Sequence, residues 1–213
     1  MITGVEPGTA QDTPPTDAVP TDADTRDRIL RAGMECVTRF GRAKTTMQDV
    51  AAAAGLSRAT LYRHFADRGA LFNGIREFER ERDLALITER AERTRTLAEA
   101  VAVVAEVLAA TGTRYRMGEH LAAGDESLAR FLALRLGRER ERVAELIRPY
   151  VRRADAAGEL RAGVSATEAE EWIALGVAQV GSLTGLRSVD VRDPAAVGRW
   201  LGRMTCAGVC ADA

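Results

Sequence analysis

Arg58, Ala59, Thr60, Tyr62, Arg63 and His64 surround Leu61 and Phe65 in a stretch of about two helical turns opened by Ser57. Leu61 and Phe65 stand four apart, so on a helix they point to one side together. The donors are left on the other side. Guanidinium and hydroxyl groups near a helix N-terminus suit the oxygens of a nucleic-acid backbone. Arginine can also grip guanine O6 and N7 with two hydrogen bonds, and alanine can meet a thymine methyl.

The elements before this row must hold it in place. Thr45 and Gln48 have capping-box spacing, which opens a short helix whose Met47, Val50, Ala51 and Ala54 recur at helical intervals. Gly55 follows, where a helix can end in the left-handed conformation at little cost. The pattern predicts two short helices joined by a tight turn. Helix pairs joined at a glycine occur in any all-helical protein, and that reading stands beside the sharper one. Two details favour the sharper one. An alanine-rich first helix lets the second cross it closely, and the second exposes donors rather than a Glu/Lys mixture. A helix-turn-helix of that kind is built to lie on duplex DNA.

These residues resemble the DNA-binding domain of the TetR (tetracycline-repressor-like) family of bacterial transcriptional regulators. Gly41, Thr45, Thr46, Val50, Ala51, Ala54, Gly55, Ser57, Thr60, Leu61, Tyr62, Phe65 and Leu71 occupy that family's motif positions, within residues 25–78. Arg68 stands where the family often has lysine, and Met47 where it often has Val or Ile. The resemblance implies phosphate contacts from Thr60, Tyr62 and Arg68, with Lys44 and Thr45 as additions. It implies base contacts from Arg58 and Ala59. His64 is either a backbone contact or a packed histidine at the helix end, and Arg63 is either a contact or a solvated surface arginine.

Composition fits a globular chain of one or two domains: 213 residues, 46% hydrophobic, with a formal charge of −1. The distribution of charge says more than the total. Residues 1–24 carry five acids and no base, whereas residues 25–80 carry eleven bases against six acids. A basic helical segment in a near-neutral chain is the electrostatic footprint of a DNA reader. No apolar run reaches the roughly 20 residues that a membrane helix needs, and no signal peptide is legible, so a cytoplasmic location is expected. Cys36, Cys206 and Cys210 form no disulfide framework. Cys206 and Cys210 are spaced like a metal pair, but with only His64 and His120 as histidines a four-ligand set is lacking. No metal and no cofactor are expected.

Residues 1–24, with Pro7, Pro14, Pro15 and Pro20, read as a disordered acidic tail. Residues 25–40 read as a first helix with Ile29, Gly33, Cys36, Val37 and Phe40 inward. Asp67 caps a long fourth helix whose stripe Leu71, Ile75 and Phe78 gives way to charge before Leu84, Leu86 and Ile87. Such a helix is either a lever between two cores or a solvated linker. Residues 97–108 are apolar on most faces, as for a helix central to a bundle. Two amphipathic segments follow, 126–136 and 138–157, with Pro149 predicting a kink or split in the second. Ser165 and Glu168 open a helix over 166–184 that is apolar all round at Trp172–Ala178. Its second cover is expected to be another subunit. Asp193 and Pro194 open a last helix with the stripe Val197, Trp200, Leu201 and Met204. Gly181/Gly185 and Gly198/Gly202 repeat at four residues, a spacing that lets helices approach closely.

The expected fold is all-α: an N-terminal three-helix helix-turn-helix DNA-binding domain (25–80) plus a C-terminal helical ligand-binding and dimerisation domain (81–213). The expected function is a repressor that binds palindromic double-stranded DNA as a homodimer through its last two long helices and is released by a small, hydrophobic effector. Tyr115, His120, Phe131 and Trp172 are the candidate effector contacts, each with ordinary core as its other reading. Two alternatives stay open: a regulator without small-molecule effector, controlled by a protein partner or by abundance, and an activator. No nucleophile motif or phosphate loop appears, so no enzyme is expected.

Overall fold

The computed structural model describes residues 21–117, 124, 126–183 and 185–211, without the side chains of 127, 128 and 131–136. The fold is all-α. Among the described residues the helices are α1 (Asp22–Phe40), α2 (Met47–Ala53), α3 (Arg58–His64), α4 (Arg68–Ala91), α5 (Leu97–Arg114), α6 (Glu126–Ala156), α7 (Ala166–Val177) and α8 (Pro194–Cys206), with a 3₁₀ turn at Val180–Ser182. None is long and apolar enough to cross a membrane.

Most of these helix starts have a chemical cause. Ser165 and Glu168 close a capping box at α7, and Thr96 and Glu99 close another at α5. Asp67 accepts from the Ala70 N–H at α4, and Asp193 caps α8 with Pro194 in its first turn. At α1 the box is Thr21 with Asp24, so the helix begins at Asp22, three residues before the expected start. Asp22 and Asp24 therefore belong to a first helical turn, where acids offset the macrodipole.

Two apolar cores form. The first gathers Ile29, Leu30, Val50, Leu61, Leu71 and Ile75 from α1 to α4. The second gathers α5 with Ile87, Val143, Ile147, Ile173, Val177, Val197 and Leu201. Helix α4 enters both, as Phe78 packs on the first and Ile87 lies inside the second. Between them it buries two carboxylates, Glu79 and Asp83. Leu84 and Leu86 stay exposed, and so does Phe40, whose ring was expected inside.

Three other expectations change. Helix α6 runs unbroken from Glu126 to Ala156, so of the kink or split expected at Pro149 the split does not occur, and the helix also continues through Gly137. An amphipathic stripe on both sides outweighs one interior glycine, which costs about 1 kcal/mol. Helix α7 stops at Val177 instead of reaching Thr184. The close-approach glycines serve the subunit itself: a Cβ on Gly198 would lie 2.5 Å from the Ala102 carbonyl oxygen, and one on Gly202 would strike that of Ala98. Gly112 and Gly181 meet backbone to backbone in the same way. Those glycines let α8 and the 3₁₀ turn press against α5 within one chain.

Candidate nucleic-acid interface

The turn between α2 and α3 is set by Gly55. At φ +62° it lets the Leu56 N–H reach the Ala51 carbonyl at 2.9 Å, while its own N–H reaches Ala52 at 3.0 Å. This double bond pattern closes a helix whose C-cap is followed by a left-handed glycine. The chain then turns into α3 at Ser57, whose hydroxyl oxygen accepts from the Thr60 N–H at 3.1 Å. Leu61 and Phe65 are buried against α1 and α4, which fixes the helix's roll.

That roll leaves Arg58, Ala59, Tyr62 and Arg63 exposed on one face, with Thr60 half-buried beside them. Tyr62 stays 43% exposed although its ring is large and apolar. The Thr60 hydroxyl lies 2.9 Å from that of Ser57, so it shares a proton with the cap. Lys44 is exposed at the entrance to α2.

Thr45 and Arg68 depart from the expected contacts, and His64 takes the packed one of its two readings. Thr45 is 1% exposed and its hydroxyl donates to the Gly41 carbonyl at 2.9 Å, so it is a core turn residue. The cap of α2 is Thr46, whose hydroxyl donates to Asp49 at 2.7 Å while the Asp49 N–H donates back at 3.2 Å. Side-chain and backbone hydrogen bonds from Thr46 hold the Asp49 carboxyl below its ordinary pKa. Two adjacent threonines each had a polar residue three ahead, and the pattern rule prefers Glu or Gln there. It therefore selects Thr45 with Gln48, although the shorter Asp49 closes the box. Thr46 is exposed and was missed on that account.

His64 is also turned inward. Its side chain is 4% exposed, with Nε2 3.5 Å from the Asp22 carboxylate of α1. The earlier start of α1 provides that neighbour. Arg68, third, points back along the chain. Its Nε donates to the Thr45 carbonyl at 3.0 Å, and its Nη2 donates to the carbonyls of Arg42 and Ala43. Its guanidinium also stands 4.6 Å from the centre of the Phe72 ring, which Arg42 approaches at 5.1 Å. Arg68 thus pins the α1–α2 turn to the start of α4.

Two of the candidate effector residues, Tyr115 and Trp172, lie among the C-terminal helices. Tyr115 is half-buried at the end of α5, and its hydroxyl faces Glu79 without closing a hydrogen bond. Burial first, and then the Glu79 charge, push its phenol well above the ordinary range. Trp172 is not in a core: it is 52% exposed on α7, with its indole N–H donating to the Thr205 carbonyl at 3.0 Å. His120 lies outside the described residues, as does the Phe131 side chain.

Comparison with known proteins bears on this geometry. The family described as "Bacterial regulatory proteins, tetR family" matches residues 29–75, which span α1 to the first half of α4. An uncharacterized HTH-type transcriptional regulator of Mycobacterium tuberculosis (strain ATCC 25618 / H37Rv) is 47% identical over 45 residues, or 21% of this chain and 24% of that protein. The matched stretch thus spans about a quarter of that relative's length. Likeness over the whole fold comes from solved structures. SmeT, the repressor of the Stenotrophomonas maltophilia multidrug efflux pump SmeDEF, superposes with a TM-score of 0.57 at 22% identity, covering 88% of this chain and 91% of that one. FadR from Bacillus subtilis, in complex with stearoyl-CoA, gives 0.60 at 14% identity, covering 85% and 98%. Over its helix-turn-helix segment, residues 29–75, this chain is similar to the tetR family of bacterial regulatory proteins.

Proposed function

We propose that the chain is a transcriptional regulator that binds a two-fold-related site on duplex DNA as a homodimer. The observation that carries this reading is the open face of α3, where Arg58, Ala59, Tyr62 and Arg63 stand clear of the core while Leu61 and Phe65 anchor the helix. In the proposed complex Arg58 and Ala59 meet base edges, and Lys44, Thr60 and Tyr62 meet phosphates. Thr46 joins them in place of Thr45. Arg68, although exposed, holds the α1–α2 turn, and His64 packs inward to hold α3 in position.

Pairing is supported by a second feature. Trp172 and Leu175 on α7 and Met204 on α8 are each about half exposed. Large apolar side chains exposed together on two neighbouring helices mark an association surface. A dimer through α7 and α8 would set two α3 helices on half-sites separated by one duplex turn or a multiple of it. Release by a small, hydrophobic effector, with Tyr115 as a contact, is the regulatory part of the proposal. Its support is that α5 is aliphatic along most of its length and that the neighbours SmeT and FadR have been solved with triclosan and with stearoyl-CoA. Such a ligand must favour one dimer geometry by several kcal/mol to switch occupancy decisively.

Selection of bound duplexes from a random pool by the full chain tests the central reading. An enriched, inverted-repeat sequence bound by a dimer is expected. Retention of no duplex above background, or binding by a monomer with no sequence preference, would overturn it.

A further inference from the structure

The C-terminal end of α8 holds two thiols that the proposed regulator does not use. Cys206 is in the last turn of α8 and buried, and Cys210 is half-buried just beyond it. The Cys210 N–H donates to the Cys206 carbonyl at 2.8 Å, and the Val209 N–H reaches the same oxygen at 3.1 Å. A backbone loop closed from residue i+4 to residue i sets the two α-carbons ~6 Å apart, inside the span that a disulfide bridges without moving the backbone. The loop is held from outside as well. Arg161 donates to the carbonyls of Cys210 at 3.3 Å and Ala207 at 3.1 Å, and Leu160 and Cys210 pair as an antiparallel bridge.

We propose that Cys206 and Cys210 are an oxidisable pair that closes to an intrachain disulfide with a hydroperoxide as oxidant. The order of events follows from the surroundings. Cys206 is the more buried, and desolvation, then the neighbouring Cys210 charge and hydrogen bond, push its thiol up to about 12. Cys210 is raised chiefly by desolvation and also by the Glu159 charge, while the hydrogen bond from Cys206 and the Arg161 charge pull it back. Cys210 therefore ionises first and attacks. Its sulfur forms an S–O bond as the peroxide O–O bond breaks, and hydroxide leaves to become water. The Cys206 sulfur then attacks the Cys210 sulfur: the S–S bond forms, the S–O bond breaks, and a second water carries away the Cys206 proton. Two thiols lose two electrons and one peroxide becomes two waters. Raised thiols make the reaction slow at neutral pH, since only the thiolate attacks. Proximity makes it selective. Cys36, buried in the other core with no second cysteine in it, is the built-in control.

The test uses the full chain treated with hydrogen peroxide, then alkylated under denaturing conditions and digested with trypsin. Cleavage after Arg203 leaves both cysteines in the final peptide, so the disulfide reads as one peptide lighter by two hydrogens and unalkylated until a dithiol is added. The rate should rise roughly 30-fold from pH 7.0 to 8.5, a decade per unit below the thiol pKa. In Cys206→Ser, Cys210 should be trapped as a sulfenic acid by a dione probe. In Cys210→Ser, Cys206 should remain an alkylatable thiol. Recovery of both thiols intact at the dose that oxidises methionine, or cross-links found only between separate chains, would overturn the proposal.

Discussion

Arg114 Nη1 stands 2.9 Å from Glu79 Oε1, an ion pair that joins α5 to α4 in the gap between the two apolar cores. One turn along α4, the Thr111 hydroxyl donates to both Asp83 oxygens, at 3.2 and 3.3 Å. The helix that carries α3 at one end is thus seated on the C-terminal core through buried charge. Buried pairs add little net stability but are costly to break, and they define one geometry out of several that an apolar seam would allow.

The first prediction concerns Asp83. Desolvation raises its carboxyl above the ordinary range, outweighing the Thr111 hydrogen bond and the nearby Arg142, Arg114 and Arg82 charges. A carboxyl raised by folding contributes stability below its unfolded pKa of about 3.9, and that contribution is lost as pH rises through the folded value. At neutral pH the ionised Asp83 is therefore a cost. Asp83→Asn keeps an acceptor for Thr111 and removes the charge. Its melting temperature should exceed that of the parent at pH 7, with the difference shrinking towards pH 4. A lower melting temperature at pH 7 would mean that the three arginines outweigh desolvation.

Arg68 offers a test of positioning against contact. Its guanidinium serves three carbonyls of the α1–α2 turn and the Phe72 face, so Arg68→Ala should destabilise the chain by about 1–3 kcal/mol. Lysine cannot reproduce the planar fork, and Arg68→Lys should recover only part of that loss. If instead Arg68 neutralises a phosphate, removing it lowers the salt dependence of DNA binding by about one counterion and leaves the melting temperature alone. Thermal melts and a salt titration on one operator separate the two.

Arg58 sits in the first turn of α3 with its side chain in solvent. Under the proposed function, Arg58→Ala should leave the fold intact and relax preference at one base pair, at a cost of about 1–3 kcal/mol on the selected site. Equal loss on the selected and a scrambled duplex would assign it to the backbone instead.

What the sequence carried and what it hid divide along physical lines. Leu61 and Phe65, the glycine turn at Gly55 and the caps Ser57, Asp67, Ser165 and Asp193 depend on neighbours within a few residues, and each was legible. Residues whose surroundings come from far along the chain were not. His64 stays open between a backbone contact and a packed histidine until α1 starts at Asp22 and lays a carboxylate beside it. Arg68 looks like a phosphate ligand until the turn 23–26 residues earlier presents three carbonyls. Trp172 looks like core because the stretch 172–178 is apolar all round, and periodicity cannot say which side a single chain leaves uncovered. Gly198 and Gly202 give the right inference, close approach, but spacing alone does not name the opposing helix.

The glycines supply a paired prediction on stability. Gly202 packs so tightly on α5 that an added methyl would collide with the Ala98 carbonyl oxygen, and it would also lie 3.0 Å from the Ala102 side chain. Neither obstacle is a flexible chain end: the first is backbone in the first turn of α5. Gly202→Ala should push α8 away from α5 and cost about 1–3 kcal/mol or more, as overpacking does. Gly137 is the reverse case. It lies within α6, exposed, with no atom of the described residues within 4 Å of an added methyl and no positive φ to forbid one. Gly137→Ala should therefore stabilise the chain by about 0.5–1 kcal/mol, mostly by removing freedom from the unfolded state. Denaturant melts of the two variants should move in opposite directions from the parent. Matching shifts would mean that helix propensity alone, and not the contact between α8 and α5, decides what a methyl does at these positions.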